Sequence, residues 1–189
     1  MSTDRLARGE LLTRLARAAI AAEWDSEGGA SSTPPHPAWL DAPGAVFVTL
    51  TQASQLRGCI GSLEAHRSLA EDVQANARAA AFADPRFAPL RREELARTRI
   101  EVSLLSAPTA MDFRDEADAL AQLRPGIDGV ILEAGWHRAT FLPQVWEQLP
   151  DPRQFIAHLK AKAGLPANAW PADIRLSRYT VEKYREAVA

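Results

Sequence analysis

Residues 46–51 and 56–63 are two β-rich runs joined only by the turn Gln52-Ala53-Ser54-Gln55. A connection this short predicts an antiparallel hairpin, because parallel neighbours need a long crossover. The second run contains Leu56-Arg57-Gly58-Cys59-Ile60-Gly61, and its cysteine is the only one in 189 residues. Glycine weakens a strand and marks a bulge or a close backbone approach. The hairpin is therefore expected to have another element packed tightly against it, or a ligand.

The rest of the chain alternates between helical and strand patterns. Residues 4–24 carry Leu11, Leu12, Leu15, Ala18, Ala19 and Ala22 at helical spacing. Residues 25–43 are rich in Gly, Ser and Pro and read as a mobile loop, with Trp39 and Leu40 anchoring its far end. Ser68 lies three residues before Glu71, a capping box for a helix over 69–83 that Asp84-Pro85-Arg86 ends. In residues 99–106, Ile100, Val102 and Leu104 alternate with Glu101 and Ser103, as in a strand. A short helix over 115–123 is followed by a second hairpin, 130–133 with 139–142, whose turn holds Gly135, Trp136 and His137. Asp151 and Pro152 open a helix that Gly164 closes, and 174–184 reads as one final strand. Strands and hairpins scattered between helices predict a mixed α+β fold. The length fits a single domain, residues 1–189, with room for two lobes.

The formal net charge of −2 gives no global attraction to nucleic acid or acidic membranes. It leaves room for a local basic surface. Five arginines fall between Arg86 and Arg99, interrupted by Glu93 and Glu94; they read as a solvated helix and turn or as a phosphate-binding patch. One cysteine cannot form an internal disulfide, and the four histidines lack metal-binding spacing. This points to a reducing compartment and away from a structural zinc site. No run approaches the roughly 18 apolar residues of a spanning helix, so a cytoplasmic protein without a membrane segment is expected. Phosphate-loop, dinucleotide, zinc-protease and serine-hydrolase motifs are absent, and no cofactor is read from the residues.

In an extended segment Arg57 and Cys59 would share a face, about 6.5 Å apart. A guanidinium there would favour the thiolate. Gly58 and Gly61 would expose backbone amides, and Arg57 would hold a carboxylate or phosphate in its fork. The same residues read equally as a core cysteine, two packing glycines and an arginine paired with an internal carboxylate. A nucleophilic cysteine also needs a base. His66 is the nearest in sequence and His137 lies in a hairpin turn, and neither spacing is diagnostic. Glu101 and Ser103 would either border the same cleft or form the solvated face of an edge strand.

The run Leu56-Arg57-Gly58-Cys59-Ile60-Gly61 resembles the signature of the AMME chromosomal region protein family, also called AmmeMemoRadiSam system protein A. The resemblance continues through Glu71-Asp72-Val73 and Ala79-Ala80-Ala81-Phe82-Ala83-Asp84-Pro85-Arg86-Phe87. It resumes at Ile100-Glu101-Val102-Ser103 and at Asp128-Gly129-Val130-Ile131-Leu132-Glu133. Phe141-Leu142-Pro143-Gln144-Val145-Trp146 and Lys162-Ala163-Gly164-Leu165-Pro166 complete it. It implies an α+β fold with an antiparallel sheet, flanking helices and two unequal lobes forming a cleft beside the signature run. It also implies association with Memo-like and radical-SAM proteins. It brings no established reaction, substrate or cofactor.

The resulting expectation is an intracellular, cleft-bearing module for a small anionic or nucleotide-like ligand, working with those partners. Arg57, Gly58, Gly61, Glu101 and Ser103 would contact the ligand, and no metal is expected. The alternatives are a thiol-dependent enzyme acting through Cys59 and a non-catalytic interaction scaffold. The lack of a visible nucleophile-base pair favours a binding module over an enzyme. RNA remains open as a partner but has no support from the net charge.

Overall fold

The structure is a computed structural model that describes residues 3–25 and 37–186. The most mobile segment expected from the sequence, near Gly28 to Pro37, lies almost wholly outside these residues. The chain forms two compact units, one from residues 1–105 and 182–189 and the other from residues 106–181. Each has its own antiparallel sheet and hydrophobic core. The α+β expectation is met, with two sheets where one was expected.

In the first unit, helices α1 (Thr3–Ala22) and α2 (Leu69–Phe82) cover one face of a sheet. The sheet contains β1 (Ala45–Gln52), β2 (Gln55–Gly61), β3 (Arg99–Leu105) and, as the last strand of the chain, β8 (Val181–Arg185), in the order β2-β1-β3-β8. Alternation along β1 sends Val46, Val48 and Leu50 into the core, where they meet Ile100 and Val102 of β3 and Val73, Ala77 and Ala80 of α2. The buried side of α1 is Gly9, Leu12, Thr13, Ala16, Ala19 and Ile20. This stripe is rotated from the expected one: Ala18 and Ala22 face solvent. At its start the true stripe needs a glycine, because a Cβ at Gly9 would lie 2.7 Å from the Tyr184 ring of β8. Leu40 is fully buried and Trp39 packs beside it under the Arg8 guanidinium, so the loop end is anchored as expected.

The capping box forms as expected: Glu71 N–H donates to the Ser68 hydroxyl at 3.3 Å and Ser68 N–H to the Glu71 carboxylate at 3.0 Å. One turn on, Asp72 is fully buried. It accepts from Val46 N–H at 2.8 Å, the Ser62 hydroxyl at 2.7 Å and Arg67 Nε at 2.7 Å. A buried carboxylate is tolerated only with such partners. Here it fixes the start of β1 against α2.

The second unit holds β4 (Thr109–Ala110), α3 (Glu116–Gln122), β5 (Gly129–Ala134), β6 (His137–Phe141), α4 (Pro152–Lys162) and β7 (Arg175–Tyr179). The strands run in the order β4-β7-β5-β6. Phe155, Ile156 and Leu159 of α4 fill its core against Val130, Leu132 and Leu176. Asp151 and Gly164 cap α4 as expected, with Gly164 left-handed at φ +81°. The strand expected over 174–184 is two strands, β7 and β8, which serve different sheets. The break falls at Thr180, whose carbonyl accepts from Ser106 N–H at 2.9 Å and whose N–H donates to the Ser106 hydroxyl at 3.0 Å. A run of β-branched and aromatic residues signals strand without marking such a change of partner. Among the described residues, no helix is long and apolar enough to cross a membrane.

The β1–β2 turn places both Ala53 (φ +46°) and Ser54 (φ +65°) in the left-handed region. Two-residue hairpin turns of this kind favour Asn-Gly, and an L-residue with a Cβ is strained there. Replacing Ala53→Asn and Ser54→Gly together is expected to raise the unfolding free energy by about 1 kcal/mol. Urea denaturation should show a higher midpoint with an unchanged slope, and Ala53→Val should move the midpoint the other way.

Candidate functional site

The signature strand β2 is an edge strand, and a bulge divides it. Thr51 pairs with Leu56 and Leu50 with Gly58, so Arg57 has no partner on β1. A bulge re-aims a side chain. Arg57 turns onto Glu94, in the 3-10 turn Arg92–Arg97, with Nε and Nη2 at 3.2 and 3.3 Å from the two carboxylate oxygens. Gln52 donates to the same carboxylate at 3.2 Å and Arg91 N–H at 2.9 Å. These donors, Arg57 foremost, hold the buried Glu94 carboxyl down at about 2. The anion in the Arg57 fork is thus one the chain itself supplies.

Gly58 faces α2. A Cβ there would lie 2.1 Å from the Ala80 carbonyl oxygen, so the helix backbone rests directly on the strand. Gly61 is required on the other face, where a Cβ would lie 2.3 Å from the Phe47 ring. Cys59 lies between them, half-buried. Its N–H donates to Asp84 at 2.9 Å, and its carbonyl accepts from Arg86 at 3.2 Å. Asp84 in turn accepts from Arg86 Nε at 2.9 Å and Nη2 at 2.7 Å. Arg86 chiefly, with the Cys59 and Arg86 amides, holds the Asp84 carboxyl well below the usual range. The Asp84-Pro85-Arg86 turn therefore stands where a further strand would pair.

The Cys59 thiol lies 3.3 Å from the Thr49 hydroxyl, a group too weakly basic to take its proton at neutral pH. Across the sheet Cys59 pairs with Thr49, which pairs with Glu101; in the next row Gly61 pairs with Phe47, which pairs with Ser103. Four predicted site residues, Cys59, Gly61, Glu101 and Ser103, therefore share one sheet face. Arg57 and Gly58 point elsewhere. Strand β3 is interior rather than an edge, and Ser103 is buried. Glu101 is ion-paired with Arg185 and with Lys183. His66 Nδ1 lies 2.9 Å from the Glu64 carbonyl oxygen. His137 begins β6 rather than lying in the turn, and its Nδ1 is 2.8 Å from the Ala163 carbonyl oxygen at the end of α4.

A different feature of the first unit was not legible in the signature. A groove of about 1070 Å³ runs beside α1, walled by residues 96–99 and by β8. Arg5, Arg14 and Arg17 line it from the helix, Arg97 and Arg99 from the 3-10 turn and the start of β3, and Lys183 and Arg185 from β8. The lining carboxylates are Glu10 and Glu186. Glu186 is consumed by Arg17, which grips it through Nε at 2.6 Å and Nη2 at 2.7 Å. Glu94 lies 4.0 Å from Arg97, and Glu101 serves both Arg185 and Lys183. Arg14 and Arg99 are exposed and have no ion-pair partner among the described residues. The sequence signal was divided: Arg97 and Arg99 belonged to the basic run, but the arginines of 4–24 lay on the flank of a helix read for its apolar stripe.

The Glu94 and Asp84 carboxyls are both depressed in the folded protein. The stability they contribute is present above their unfolded values, 4.5 and 3.8, and is lost as pH falls towards 2. Arg57→Met is expected to flatten the Glu94 part of this acid loss and to lower stability at pH 7, since it leaves a buried carboxylate without its cation. Urea midpoints from pH 7 to pH 2 measure both effects. Gly58→Ala should cost about 1–3 kcal/mol or more through overpacking on Ala80. Cys59→Ala, whose backbone keeps both bonds, should stay within about 1 kcal/mol of the parent.

The AMMECR1 family description matches residues 13–184, a span that includes both sheets. A protein of Saccharolobus islandicus strain L.S.2.15 is 38% identical over 185 residues, covering 94% of this chain and 81% of the relative. A protein of Methanothermobacter thermautotrophicus is 38% identical over 143 residues, covering 75% of this chain and 74% of the relative. The crystal structure of an uncharacterised protein from Pyrococcus horikoshii is similar with a TM-score of 0.76 and 34% identity, over 94% of this chain and 91% of that one. A family match of this extent, with relatives this similar along most of their own length, establishes that the chain belongs to the AMMECR1 family.

Proposed function

We propose that this chain is an intracellular binding module for a small anionic or nucleotide-like ligand, and that it works alongside Memo-like and radical-SAM proteins. The observation that carries the ligand half is the charge of the α1 groove: among its seven basic side chains, Arg14 and Arg99 have no ion-pair partner among the described residues, while Arg17, Arg97, Lys183 and Arg185 already face Glu186, Glu94 and Glu101. Arg14 and Arg99 bring donors that no carboxylate of the described residues occupies. Arg57, the anchor first expected, is committed to Glu94 and supports the fold instead. The partner half rests on the family resemblance alone.

Binding of ATP and of inorganic phosphate, followed by calorimetry at low salt, tests the ligand half. Arg14→Ala together with Arg99→Ala is expected to weaken ATP by about 1.5–3 kcal/mol for each charge-assisted hydrogen bond lost. Both positions are exposed, so the melting temperature should hold. Unchanged binding in the double variant would remove the groove from the reading. Co-purification of the tagged chain with Memo-like and radical-SAM proteins expressed in the same host tests the partner half.

A further inference from the structure

We infer that the groove beside α1 takes a linear run of several phosphates rather than one phosphate group, an inference that rests on the binding-module reading above. Three observations carry it. First, the groove is long. Arg5 and Arg17 both line it and lie twelve residues apart on one helix, which at 1.5 Å per residue is about 18 Å. Phosphates repeat at no less than about 3.4 Å along a nucleic-acid strand, so this length spans about three to five of them. Second, the charges are strung out rather than convergent. Arg5 lies at one end, stacked 5.9 Å from the Tyr184 ring centroid, and Arg14 lies more than two helical turns further along α1. On β8, Lys183 and Arg185 are two residues apart, about 6.5 Å along a strand, and share the single carboxylate of Glu101 between them. A site for a single phosphate gathers its donors around one point, often a helix N-terminus or glycine-rich loop. This groove is instead flanked by the side of a helix and an edge strand.

Third, the groove has no open platform for a base. Tyr184 is its one aromatic residue among the described residues, and only 5% of it is exposed. Proteins that read single strands by stacking present aromatic faces to successive bases. The ligand is therefore held by its phosphates, without selection of base or sugar. Glu10 interrupts the basic lining between Arg5 and Arg14, so a bound chain is expected to make its contacts on either side of that carboxylate. The shared chemistry is a phosphate chain, and two sources supply it: an oligonucleotide backbone and inorganic polyphosphate.

Fluorescence anisotropy of the full chain with 5′-labelled oligothymidylates of one, two, four and eight nucleotides tests this. Affinity is expected to rise at least tenfold between two and four nucleotides. For four contacts, log K against log salt should fall with a slope near −3, at about −0.7 per phosphate engaged. Arg14→Gln and Arg99→Gln, both at exposed positions, should each reduce that slope by about 0.7 with the melting temperature unchanged. Oligouridylate should bind as oligothymidylate does. Competition by long-chain polyphosphate at equal phosphate concentration identifies the source: equal displacement supports a reader of phosphate chains of either kind, and a preference for the oligonucleotide supports a nucleic-acid strand. If inorganic phosphate or ATP binds as tightly as the eight-nucleotide strand, the extended-chain inference fails while the anion-binding reading stands. If no probe of any length binds at low salt, both fail.

Discussion

The first unit depends on how the outer edge of β2 is closed. A strand at the end of a sheet leaves alternate N–H and C=O groups pointing at solvent, and such an edge invites pairing with another chain. At Cys59 both groups are taken, the N–H by Asp84 and the carbonyl by Arg86. These two side chains imitate one rung of a missing strand. Because they follow directly from the end of α2, the same turn that stops the helix ties it to the strand it covers. Gly58 completes the arrangement, since only a residue without a Cβ lets the Ala80 carbonyl come so close. Helix, turn and strand are thus held in one register, and the bulge that carries Arg57 to Glu94 lies immediately beside it.

This changes the meaning of the signature. As a sequence, an arginine, two glycines and a lone thiol read as the ingredients of a pocket. In the fold Arg57 pairs with Glu94, the two glycines admit Ala80 and Phe47, and the Cys59 backbone pairs with Asp84 and Arg86. Several other recognisable blocks behave in the same way. Asp72 gathers Val46, Ser62 and Arg67; Asp128 is gripped by Arg124 at 2.6 Å; and Trp146 donates to the Asp128 carbonyl while stacking on Phe155 at 3.7 Å. Among the described residues, positive charge without an internal counterpart is found instead beside α1, at Arg14 and Arg99, which belong to no contiguous motif.

Local patterning carried most of the fold. The first hairpin, the Ser68 capping box, the alternation of β3 and the Asp151 and Gly164 caps were legible because each is written in neighbouring residues. What was not legible needed distant ones. No local pattern separates the end of β7 from the start of β8, because the change at Thr180 is a change of sheet and not of conformation. The buried side of α1 begins at Gly9, and the reason for a glycine there, Tyr184, lies far along the chain. The direction of Arg57 depended on a one-residue bulge, and a single inserted residue reverses every face assignment made by alternation. The groove has no contiguous sequence signal because its arginines come from three separate stretches.

The Ser106–Thr180 pairing also bears on the order in which the chain can assemble. The first unit is completed only when β8 reaches the sheet, and for an unfolded chain that means closing the whole span between Leu105 and Glu182. The entropic cost of such a loop grows only logarithmically, about 4 kcal/mol beyond a constant for a span of this size. Once residues 106–181 have folded, the hydrogen bonds between Ser106 and Thr180 hold the two ends of that span together. The second unit then acts as a tether of nearly zero length, and the pairing of β3 with β8, distant in sequence, becomes a local one. Damage to its core would thus slow completion of the first sheet without altering any residue of that sheet.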